Sequence, residues 1–198
     1  MTVDEFRELL KEASAYDIVS KFLMNGAAAH VSDADISHIG SVIGASYGVA
    51  ASEVDVVIAG SAKLGFSLTE KRKKGEPPLP RYRLFSAESD IDVAVISPKI
   101  FNKIWFELST HFHKSIWFPS DTGKLGDYLV TGWLRPDHFP KNVRLPLCDN
   151  WSDTFSKLTR NSRFKTRRLN GGAFQSRDHL NQYLARAVRE CIALEVTP

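Results

Sequence analysis

An acid placed inside an apolar strand constrains this chain more than any other feature. Ile91-Asp-Val-Ala-Val-Ile is a run of strand length, and along a strand residues i and i+2 point to the same face. Asp90 and Asp92 therefore stand side by side, while Ile91, Val93 and Val95 point into a core. Adjacent carboxylates repel unless a cation sits between them. Hard divalent ions such as Mg²⁺ favour those oxygens together with the phosphate oxygens of a substrate. A second run, Val54-Asp-Val-Val-Ile-Ala, also reads as a buried strand and ends at Gly60-Ser61. Glycine permits a tight turn beside a ligand, and the N–H groups that follow it, with the Ser61 hydroxyl, suit a phosphate. Together these pieces describe a site for a metal-bound nucleoside triphosphate. Asp90 and Asp92 are the candidate metal-binding and catalytic residues, and Gly60 and Ser61 the candidate nucleotide-binding ones.

Around this pair the chain reads as mixed helix and strand. Apolar positions over residues 3–28 recur with helical spacing and predict two short helices or one broken one, an N-terminal helical appendage over residues 1–30. Ser32 caps a helix running to about Tyr47, and Ser97-Pro98 opens another that carries Ile100, Phe101, Ile104 and Leu108 on one side. Residues 69–88 hold a basic, proline-rich insertion, expected as a surface loop because clustered prolines remove hydrogen-bond donors. Tyr128-Leu-Val-Thr-Gly-Trp-Leu and Asn142-Val-Arg-Leu-Pro-Leu-Cys read as weak strands, with a short helix after them from Trp151 to Leu158. Ser176 caps a C-terminal helix with a clear apolar stripe.

Composition bounds the rest. Of 198 residues, 43% are hydrophobic and 25% charged, which excludes disorder over most of the chain and suits one domain spanning residues 1–198. No run reaches the roughly 18–20 apolar residues that cross a bilayer, and acid stands near the start where a secretory signal carries base. A cytoplasmic protein with no membrane partner is expected. Cys148 and Cys191 lack zinc-site spacing and read as reduced, structural residues. The net charge of +3 is too small to imply a nucleic-acid partner, but the base is clustered at Lys71 to Lys74 and between Lys157 and Arg168. Either cluster can grip phosphate or form a solvated loop. His111 and His113 do not share a helix face, and His138 sits in a turn, so none of them reads as a metal ligand. Trp133 and Trp151 read as core residues, with base stacking as the alternative.

Val56-Val-Ile-Ala-Gly-Ser, followed by Ser89-Asp-Ile-Asp-Val-Ala-Val, resembles the nucleotidyltransferase superfamily of the DNA polymerase β type. Gly65-Phe-Ser-Leu also resembles the helix start that follows Gly-Ser in many members, and the likeness covers roughly residues 32–114. It implies an α/β fold of the α+β type: a small mixed sheet, helices packed on it and a C-terminal helix. It also implies Mg²⁺ or Mn²⁺ as cofactor and transfer of a nucleoside monophosphate from an NTP, ATP among them, to a hydroxyl. The acceptor is a protein, an RNA or a small molecule supplied in trans, in the manner of small toxin–antitoxin or phage-defence members. Such enzymes generally carry a third carboxylate on a later strand. Asp127 and Asp149 are the candidates here, each in a stretch of insecure strand character. The alternative is a nucleotide- or RNA-binding module of the same fold that lacks catalysis.

Overall fold

The two apolar runs lie side by side as the strands their composition demands. In a computed structural model describing residues 1–72, 75–114, 122–139, 143–165 and 167–196, β1 (Asp55–Ala59) pairs antiparallel with β2 (Ile91–Ile96). On its other side β2 pairs in parallel with β4 (Leu169–Phe174), and a short edge strand, β3 (Trp133–Leu134), runs antiparallel to β4. The order β1-β2-β4-β3 makes a mixed sheet in a predominantly helical α+β fold.

Both faces of this sheet are covered, which explains why its strands read as continuous apolar runs rather than as alternations. Ile91, Val93 and Val95 enter one core with Ile39 and Ile43 of α3 (Asp33–Tyr47), Ile100 and Ile104 of α5 (Pro98–Lys114), and Trp151 and Phe155 of α7 (Pro146–Arg160). Val57, Ala94, Ile96 and Phe174 enter the other. Their partners are Phe6 and Leu10 of α1 (Val3–Glu12), Ile18 of α2 (Ala15–Ile18), the π-helical turn that continues it (Val19–Met24), and Leu180 and Val188 of α8 (Arg177–Val196). The N-terminal helices thus form half of a layer, with Phe6, Ile18 and Val19 fully buried. Cys148 and Cys191 are free and buried. Among the described residues no helix is long and apolar enough to cross a membrane.

Helix ends follow the capping chemistry expected of them. The Ser97 hydroxyl accepts from the Ile100 N–H (3.4 Å), and the Ser176 hydroxyl accepts from that of His179 (3.3 Å). At α3 the Ser32 hydroxyl accepts from the Asp35 N–H (3.2 Å) and donates to the Asp35 carboxylate (2.7 Å), which also receives Arg163 (3.0 Å). The Ser32 bond, then Arg163, hold the Asp35 carboxyl below its ordinary value despite partial burial. A depressed acid contributes stability above its unfolded pKa, near 4, and loses it as pH falls through the folded value. Asp35→Ala should therefore cost about 0.5–1 kcal/mol at neutral pH, with the gap from wild type closing in acid; urea midpoints across pH check this.

Three expectations are corrected. The strand expected over residues 128–134 is the end of α6 (Thr122–Val130), a turn at Gly132, and two residues of β3. Residues 143–145 precede a helix instead of forming a strand, because Pro146 occupies the first turn of α7, where its missing N–H costs nothing; residues 141 and 142 lie outside the described set. Gly65 ends a helix rather than starting one: it is the left-handed cap (φ 92°) of the short α4 (Gly60–Leu64). Over residues 69–88 the chain forms an irregular arm at the surface, in which Lys71 pairs with Leu79 and Leu84 with Phe66, which lies just before it. Phe66 is buried, and Arg81 ties the arm to the Leu68 carbonyl (2.6 Å) and to Glu190 of α8 (3.1 Å).

β4 carries no clear strand signal in the sequence, because its Gly171-Gly172 pair is unfavourable for a strand. Packing explains the first glycine: a Cβ there would stand 2.1 Å from the Phe155 ring. Gly171→Ala should cost about 1–3 kcal/mol through forced displacement of that ring, read as a lower urea midpoint.

Candidate metal and phosphate site

Strand register aligns Ala59, Asp92 and Asn170 in one row across β1, β2 and β4. Asp92 is the single residue of β2 that is not buried. Beside it the chain leaves β1 through Gly60, whose φ of 61° is a left-handed conformation favouring glycine. A Cβ on Gly60 would lie 2.6 Å from the Asp92 Oδ2, so a side chain there would displace that carboxylate. Asp90, one residue before β2, accepts a hydrogen bond at Oδ2 from the Asn170 Nδ2 (3.1 Å). Gly60, Ser61, Asp90 and Asp92 all line one cleft of about 890 Å³, as do Asn170 and Arg135. All four residues singled out in the sequence are thus brought together.

The electrostatics are those of a crowded anionic pair. Although Asp92 opens onto the cleft, protein encloses it on its other sides. That loss of hydration, followed by the Asp90 charge, raises its carboxyl above the ordinary value, against the opposing influence of Arg135, Asn170 and Lys71. Arg135 is fixed by a two-pronged pair with Asp137, Nε to Oδ1 at 2.9 Å and Nη2 to Oδ2 at 2.7 Å. Burial alone would raise the Asp137 carboxyl, but these bonds hold it below its usual value. Tyr183, reaching the cleft from α8, has its hydroxyl raised by burial and then by the Asp92 charge. Lys63, the basic residue nearest Ser61, is buried and donates to the Gly26 carbonyl, so it fastens the N-terminal segment and does not reach the cleft.

Neither candidate for a third carboxylate joins this group. Asp127 is exposed on α6 and Asp149 is exposed in the first turn of α7, and neither lines the cleft. The strand beside Asp92 presents Asn170 instead. Among the described residues no set of three His, Cys, Asp or Glu side chains is placed to hold a metal. Asp90, Asp92 and the Asn170 amide would suit one hard cation that took its remaining ligands from phosphate and water oxygens.

Part of the basic segment between Lys157 and Arg168 is committed to the protein. Arg163 pairs with Asp35, while Arg167 donates to the Ser86 and Ser89 carbonyls and lies over the Phe85 ring, 4.6 Å from its centroid. Arg167 thus holds the turn from which Asp90 emerges. Lys71 lines the cleft from the arm, and Lys73 and Lys74 lie outside the described residues. His111, His113 and His138 do not line the cleft. Trp151 is a core residue, whereas Trp133 stacks near Phe174 and also borders the cleft. Sequence reading missed Asn170 and Arg135. The signal for Asn170 was an apolar run, Leu169 to Phe174, masked by its two glycines; Arg135 carried no signal beyond its nearness to Trp133-Leu134.

No known family model, curated protein or solved structure matches this chain.

Proposed function

We propose that the cleft binds a nucleoside triphosphate with Mg²⁺ and transfers its nucleotidyl group to a hydroxyl on a protein, RNA or small molecule supplied in trans. The observation that carries this reading is the close approach of the Gly60 turn to Asp92, in a cleft that Ser61 and Asp90 also line. Asp90 and Asp92 hold the ion. When bound, it supplies positive charge to phosphate oxygens as pyrophosphate departs. The Gly60-Ser61 turn receives the phosphates, and Arg135, held by Asp137, adds a fixed cation beside them. The acceptor oxygen bonds to the α-phosphorus in line with the departing pyrophosphate, and the hydroxyl proton passes to water.

Asn170 favours a second reading, in which the cleft binds nucleotide without turnover. Incubating the protein with Mg²⁺ and each α-labelled NTP separates the two. Label transfer or pyrophosphate release that is absent in Asp90→Ala supports the enzyme, and nucleotide binding without either product supports the module. A wild-type protein that neither binds nor transfers nucleotide sinks both.

A further inference from the structure

Resting on that reading, we propose that this site works with one divalent cation, the guanidinium of Arg135 supplying the second positive charge to the triphosphate. A two-ion centre holds its metals about 3.5–4 Å apart, and the repulsion between them is offset by carboxylates shared across the pair. Here the row across the sheet ends in an amide: Asn170 is the register partner of Asp92 and gives its Nδ2 hydrogen to Asp90. The carboxylates Asp90 and Asp92 balance the charge of one Mg²⁺; Glu70, Glu88 and Glu190 also line the cleft, but among the described residues no third acid is placed with the pair to hold a metal.

The ground beside them is already positive. Arg135 lines the same cleft and acts electrostatically on Asp92, and the Asp137 carboxylate occupies its Nε and Nη2 atoms, leaving Nη1 for a ligand. The side chains of this pair are 22% and 26% exposed, so the guanidinium is held rather than freely solvated. An arginine fixed in this way suits phosphate oxygens. Lys71, on the arm lining the cleft, adds further positive charge opposing a second cation.

The test counts ions. The full-length protein is titrated with Mn²⁺ in the presence of each of the four α,β-methylene nucleoside triphosphates, with bound Mn²⁺ followed by electron paramagnetic resonance and nucleotide affinity by calorimetry. One Mn²⁺ per wild-type ternary complex is expected, and Asn170→Asp should raise the count to two. Asn170→Ala should keep it at one. Arg135→Ala should weaken nucleotide binding about 10- to 100-fold, as loss of a charged hydrogen bond does, with the ion count unchanged. Two ions in the wild-type complex, or a folded Asn170→Asp protein that still binds one, overturns this inference and leaves the nucleotide site standing. Failure of the wild type to bind any of the four nucleotides overturns the nucleotide reading as well.

Discussion

Asp92→Ala is expected to lower nucleotidyl transfer by about 10³-fold while leaving the fold intact. The size follows from removing one of the two carboxylates proposed to hold the cation, since metal-borne charge stabilisation contributes several kcal/mol to such a transition state and 1.36 kcal/mol is tenfold in rate. The separation of activity from folding follows from position. Asp92 is the exposed residue of an otherwise buried strand, so truncation opens no cavity. It also relieves the repulsion between two adjacent acids, so the urea midpoint at neutral pH should hold or rise. Steady-state transfer rates and urea unfolding, measured on the same preparation, check both halves. A variant that transfers label at the wild-type rate removes Asp92 from the chemistry, and one that unfolds makes Asp92 a structural residue.

Phe6→Ala is expected to cost about 3–5 kcal/mol of stability. This is a large share of the 5–15 kcal/mol that holds a typical domain together. Phe6 is fully buried, with the Phe66 ring edge-on at 5.5 Å and the Tyr82 ring at 6.4 Å. Its removal leaves a cavity shared by the N-terminal layer and the arm that borders the cleft. Urea unfolding gives the magnitude. A loss below about 1 kcal/mol would mean that the N-terminal helices are a detachable addition and not part of the second core.

Where local chemistry decides the structure, the sequence was readable. β1 and β2 are apolar runs, the caps at Ser32, Ser97 and Ser176 are short-range hydrogen-bond devices, and the approach of Gly60 to Asp92 follows from pairing the two strands. Tertiary packing decides the remainder. Gly171 belongs to a strand because the Phe155 ring needs the space above it, and that ring lies on a helix read only from Trp151 onward. The acids in weak strands, Asp127 and Asp149, lie away from Asp92, whose neighbour is set by parallel pairing with a segment rich in glycine. Nothing within a few residues of Asn170 announces that neighbour. The second core was hidden for the same reason: the helical periodicity of residues 3–24 marks an apolar face without saying what covers it.

The place of β4 in the sheet also governs the order in which the molecule can be assembled. It is the last strand in the chain, yet it lies between β2 and β3. During synthesis the β1–β2 pair can form early, but the other edge of β2 keeps its backbone groups unpaired until Leu169–Phe174 has emerged. An apolar strand with an open edge is a template for pairing with another chain. A nascent chain, or a fragment ending before Leu169, therefore carries a sticky edge, and the segment that supplies Asn170 to the site is also the one that removes that hazard.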